Sequence, residues 1–156
     1  FPNGQPIQVF TVLDGDEWEE EGISLITAEP LTQYCAGADA ARVRPAPYTL
    51  CGDQVTSNTL QSWQTNMPGA CTAAEVRIEF VEPVDKVEVE FYGAAVEYTL
   101  RAYAANDNEI ETSMVGATCD GNPDLVVVEA NDIHAINFGR PTAGVGISRI
   151  TYTINP

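Results

Sequence analysis

Val76-Arg77-Ile78-Glu79-Phe80 and, beyond Glu82-Pro83, Val87-Glu88-Val89-Glu90-Phe91 decide the fold class. In both stretches an apolar residue follows a charged one with a period of two. A strand sends successive side chains to opposite faces, so this pattern puts one face in a core and the other in water. The same alternation returns on either side. Tyr98, Leu100 and Ala102 interleave with Thr99, Arg101 and Tyr103, and Ser148, Ile150, Tyr152 and Ile154 interleave with Ile147, Arg149, Thr151 and Thr153. No long segment of helical period competes. The prediction is an all-β fold.

Punctuation between the runs supplies the connections. Asn106-Asp107-Asn108 separates a run ending at Ala104 from one starting at Ile110. Asn and Asp tolerate positive φ, so a hairpin turn is predicted there, with its charge serving structure. Glu82-Pro83 reads as a break between two strands, and Gly139-Arg140-Pro141 as another. Leu125-Val126-Val127-Val128 is a continuous run that predicts a short strand buried on both sides, with His134–Phe138 forming the next. Residues 35–75 are less periodic and carry Pro45, Pro47 and Pro68, which predicts long loops with short edge strands. The whole predicts one domain: a two-sheet antiparallel β-sandwich over residues 14–156, preceded by a strand segment over residues 1–13.

Composition bounds the function. Seven Lys plus Arg stand against 23 Asp plus Glu over 156 residues, a net charge of −16. Nucleic acid and anionic lipid would be repelled by such a surface. Lys86 is the sole lysine, and the arginines are scattered through the sequence. No apolar stretch approaches the roughly 20 residues of a membrane span. The first residues, Phe1-Pro2-Asn3-Gly4, suit a mature protein freed of a signal peptide.

Four cysteines, Cys35, Cys51, Cys71 and Cys119, lie far from any metal-ligand spacing. Three pairings are open. The most economical joins Cys35 to Cys51 and Cys71 to Cys119, giving a sandwich with two disulfides in an oxidising, extracellular compartment.

The order of motifs resembles the secreted bacterial jelly-roll domains of the galactose-binding-like type, found in carbohydrate-binding modules and surface-anchored proteins. Glu19-Glu20-Glu21-Gly22-Ile23-Ser24-Leu25 resembles the acidic entry to the first strand. Ile78-Glu79-Phe80-Val81-Glu82-Pro83-Val84 resembles a strand rising into a Pro-marked bend. Tyr98–Tyr103 with Asn106-Asp107-Asn108-Glu109-Ile110 resembles the family hairpin, and Gly146-Ile147-Ser148-Arg149-Ile150 its closing strand. The likeness runs over residues 75–154, while residues 35–75 depart from it. It implies a jelly roll, a structural calcium and glycan binding.

Candidate chemistry is sparse. Asp14-Gly15-Asp16-Glu17 is the best calcium candidate, because Gly15 lets nearby carboxylates converge on a cation that needs six to eight oxygens. Asp120-Gly121-Asn122-Pro123-Asp124 reads as a turn after Cys119. His134 is the only histidine and sits inside a predicted strand; no G-x-S-x-G elbow, phosphate loop or dinucleotide fingerprint occurs. The expectation is a protein that is not an enzyme.

Two roles remain. The first is a secreted structural or adhesive module that assembles into an extracellular filament. There Ile7, Val9, Phe10, Val12 and Leu13 would form a strand donated to another copy or to another surface protein. The alternative is a calcium-stabilised carbohydrate-binding module. Trp63, Trp18, Tyr34 and Tyr48 would then supply flat rings for a polysaccharide's C–H faces.

Overall fold

A computed structural model of the chain describes residues 22–30, 40–44, 47–50, 53–56, 58–64, 69–70, 74–139 and 145–154. Their strands are β1 (Ile23–Pro30), β2 (Ala40–Arg44), β3 (Tyr48–Leu50), β4 (Asp53–Val55), β5 (Thr59–Gln64), β6 (Gly69–Ala70), β7 (Ala74–Gly93), β8 (Glu97–Tyr103), β9 (Glu109–Gly116), β10 (Asp124–Gly139) and β11 (Val145–Ile154). Each strand pair is antiparallel. There is no helix among the described residues.

Two long strands organise the molecule. The first half of β7 pairs with β1 on one side and with the end of β10 on the other, Ile78 facing both Ile26 and Ile136. Its second half pairs with β11 and with the start of β10, Val89 facing Ile150 and Val126. One layer is therefore β1-β7-β10-β8-β9, and the other is β2-β5-β11-β7-β10, with β7 and β10 crossing from layer to layer. Corners of this kind are made by strands that bend or bulge as they change sheets.

The corner explains a shift of phase along β7. Val76, Ile78 and Phe80 are buried in the first half, Val87, Val89 and Phe91 in the second, while Val81 and Glu82 turn outward between them. An even-numbered set gives way to an odd-numbered one. Pro83 sits in this bend, where the missing N–H removes no ladder bond. Glu82-Pro83 is thus no break: the chain continues as one strand. β10 turns its corner where its register slips between Glu129 and Ala135, at Asp132 with φ of 60°. Leu125–Val128 and His134–Phe138 belong to this same strand.

Aromatic contacts join the layers. Phe91, in the second layer, lies 4.7 Å from Phe138 and 5.3 Å from Tyr98 in the first, centroid to centroid. Phe80 and Tyr152 meet at 5.2 Å near the other end. None of these pairs is opposed in register, so each is a contact between sheets, and the arrangement is a β-sandwich. Leu125 corrects one expectation: it is 53% exposed while Val126 and Val128 are buried, so this run faces the core on one side only. The outer face of its layer is simply left open to water.

The predicted hairpin is present. β8 pairs with β9, and the turn closes through Ala104 N–H donating to the Asn108 carbonyl and Asp107 N–H to the Ala104 carbonyl. Asp107 adopts φ of 65°. The turn after Cys119 also forms, with Asp120 accepting from Thr118 Oγ1 and from Asn122 N–H.

Candidate functional site

On the outer face of the first layer, antiparallel register sets Thr27, Arg77, Asn137, Arg101 and Thr112 in one transverse row. The alternation that buries Val76 and Ile78 requires Arg77 to face outward. Carboxylates from neighbouring rows then close on the two arginines. Arg77 Nη2 donates to Asp107 Oδ1 at 2.7 Å, and Arg77 Nη1 donates to Asn137 Oδ1 at 3.1 Å. Glu79 and Glu29 lie 3.6 and 3.9 Å away, and the guanidinium carbon stands 5.3 Å from the Tyr103 ring centre. Partial burial opposes the Arg77 charge, but Asp107, with Glu29 and Glu79, holds its pKa above the ordinary value.

A second set of bonds lies beside it. Arg101 donates to the Glu75 carboxylate, and Asn137 Nδ2 donates to Glu29 and, at 3.5 Å, to Glu75 Oε1. Glu75 is 2% exposed. Burial pushes its carboxyl above the usual range against the pull of Arg101 and Asn137. The centre of this inner network, Glu75 with Asn137, is buried. It fixes the strands under the exposed groups.

Beyond Arg77 the face falls into a depression of about 330 Å³, bordered by Ser24, Arg77, Glu79, Asp107 and His134. A wider depression of about 650 Å³ adjoins it, bordered by Pro83, Asn106, Ile110, Asn131 and Asp132. Ala104, Ala105 and His134 border both. The groove exists because one chain reversal, the β8–β9 turn, meets two strand corners, those of β7 and β10. Small side chains at Ala104 and Ala105 keep it open, and fixed donors and acceptors line it.

Of the residues predicted to act, Tyr48 is described. It lies on β3, its hydroxyl 2.8 Å from Thr59 Oγ1 and its ring capped by Arg44 at 3.7 Å. Burial raises its pKa. Trp63 lies on β5 opposite Ala40 and Ala70, but its side chain is outside the described set. Asp14, Asp16, Glu17, Trp18, Tyr34, Cys35, Cys51, Cys71 and the strand residues Ile7, Val9, Phe10, Val12 and Leu13 also lie outside the described residues. Cys119 is described and has no free thiol. Among the described residues no cluster of His, Cys, Asp or Glu is arranged for a metal, and no helix could cross a membrane.

Comparison with known proteins gives likeness in shape alone. No family model matches the chain, and no curated protein matches it. Among solved structures it is similar to TmCBM61, a carbohydrate-binding module solved in complex with beta-1,4-galactotriose. That similarity has a TM-score of 0.49 and 13% identity, covering 92% of this chain and 97% of that one. It is also similar to the enzymatically active domain of bacteriophage CBA120 tailspike protein 4. There the TM-score is 0.40 and the identity 9%, covering 83% of this chain and 19% of that one. The sandwich described above stands on this chain's own strand register.

Arg77, Glu79, Asp107, Asn131 and Asp132 had no distinguishing mark as site residues in the sequence. The one available signal was positional: an arginine on the polar face of a strand, in a chain with few cations, needs partners.

Proposed function

We propose that the chain is a secreted, non-catalytic carbohydrate-binding module of jelly-roll type, taking a polysaccharide in the groove beside His134. The observation that carries this reading is the Arg77–Asp107 pair at the mouth of an open polar depression. Sugar hydroxyls donate and accept at once, so a sugar site needs donors and acceptors fixed side by side. Arg77 supplies the donors, Asp107 and Glu79 the acceptors, and His134 can serve as either. Two disulfides, Cys35–Cys51 and Cys71–Cys119, and a calcium at Asp14, Asp16 and Glu17 would stiffen the module; the bonded state of Cys119 fits the first of these ideas.

Retention on immobilised neutral polysaccharides tests the reading. Ala105 is exposed on a turn and borders both depressions, so Ala105→Trp fills the groove without disturbing the core. The wild type should be retained and Ala105→Trp should pass through. A wild type that forms high-mass species, abolished by removing residues 1–13, would favour the self-assembling surface subunit instead.

A further inference from the structure

We infer, on the basis of that reading, that the groove takes several sugars of a glycan chain lacking acidic groups, not a single sugar or a uronate. The two depressions share Ala104, Ala105 and His134 in their lining. Each falls in the range of about 300–1,000 Å³ that receives a ligand larger than one sugar ring. Together they make a trough longer than either depression.

Charge selects the kind of chain. Glu79, Asp107 and Asp132 border the trough, against the single guanidinium of Arg77, which Asp107 and its neighbours already engage. The whole chain carries a net charge of −16. Among the described residues that border the trough, an incoming carboxylate would find no Lys or Arg besides Arg77 and would meet a repulsive field. Hydroxyl groups meet no such barrier. Arg77 and Asp107 stand at one wing and Asn131 and Asp132 at the other, so a longer chain gains contacts that a single sugar cannot make.

Calorimetric titration with glucose, cellobiose, cellohexaose, galactose, β-1,4-galactobiose, β-1,4-galactohexaose, xylohexaose and hexagalacturonic acid tests the inference. The best-bound neutral hexaose should bind at least about tenfold more tightly than its disaccharide, the scale of one or two added hydrogen bonds. Hexagalacturonic acid should bind at least about tenfold more weakly than that hexaose, the loss easing as salt screens the field. Asn131→Ala should weaken the hexaose more than the disaccharide, and Ala105→Trp should abolish both. A monosaccharide bound as tightly as its hexaose, with Ala105→Trp still inactive, would overturn the inference and leave glycan binding standing. Tight binding of hexagalacturonic acid would overturn its charge half. Binding of none of these sugars, with the wild type also passing through the polysaccharide columns, would remove both readings.

Discussion

Arg77 Nη2 and Asp107 Oδ1 lie 2.7 Å apart although 30 residues separate them in the chain. The contact ties an interior strand of the first layer to the tip of the β8–β9 hairpin. It also sets one wall of the groove, because Arg77 is half-buried and can shift only if its partners do.

Asp107→Ala should hurt binding more than stability. The carboxylate is largely exposed, so the lost pair is worth under about 1 kcal/mol, and Ala in the left-handed conformation adds roughly another 1 kcal/mol. Asp107→Gly removes the same carboxylate while relieving the backbone. The expected result is that both variants lose retention on polysaccharide, with the glycine variant melting closer to the wild type.

Gly93 shows the opposite balance, since it lies away from the groove. A Cβ there would fall 2.5 Å from Tyr98 Cε2, and Tyr98 is fully buried with its hydroxyl accepting from Ala94 N–H at 3.0 Å. Gly93→Ala should cost about 1–3 kcal/mol from overpacking, read as a lower urea midpoint. Glycan affinity measured well below that midpoint should be unchanged.

Glu75 gives the fold a pH dependence of definite sign. Its folded pKa is raised above the ordinary 4.5, first by burial, against the opposing charge of Arg101. A raised folded value means that the native state holds the proton more tightly than the unfolded chain. The resulting stabilisation is complete below 4.5 and is lost as pH rises through the folded value. Glu75→Gln removes this contribution. Urea titrations at neutral pH and just above 4.5 should show the wild type gaining stability relative to Glu75→Gln as acid is added.

Phe91→Ala would take away the ring that meets both Phe138 and Tyr98 across the layers. A loss of about 3–5 kcal/mol is expected, with the near-ultraviolet dichroism of the aromatic cluster diminished. A loss confined to a few tenths would mean that the layers are not held by this cluster.

Much of the fold was legible in Val76–Phe91, because burial on one face imposes a period of two that any reader can count. The hairpin at Asn106–Asn108 was legible for a local reason as well: its residues suit the backbone the turn requires. What alternation could not show is that two runs of opposite phase, on either side of Pro83, are one bent strand. Phase reports which face is buried, and a corner changes the face without ending the strand. Asp132 hides the second corner in the same way. The groove was illegible for a deeper reason. Arg77, Asp107 and His134 come together only through pairings between distant strands, and no local spacing encodes that meeting. Aromatic residues drew the expectation to Trp63 and Tyr48 because flat rings are the visible mark of a sugar site, whereas Arg44 already covers one face of Tyr48.

Amide chemical shifts followed by nuclear magnetic resonance during titration with the best-retained neutral hexaose locate the bound sugar, residue by residue. Saturable shifts are expected at Arg77, Ala104, Ala105, Asp107, Asn131 and His134, with little change at Tyr48 and Trp63. Shifts centred on Tyr48 and Trp63, with the groove residues unmoved, would contradict binding in the groove.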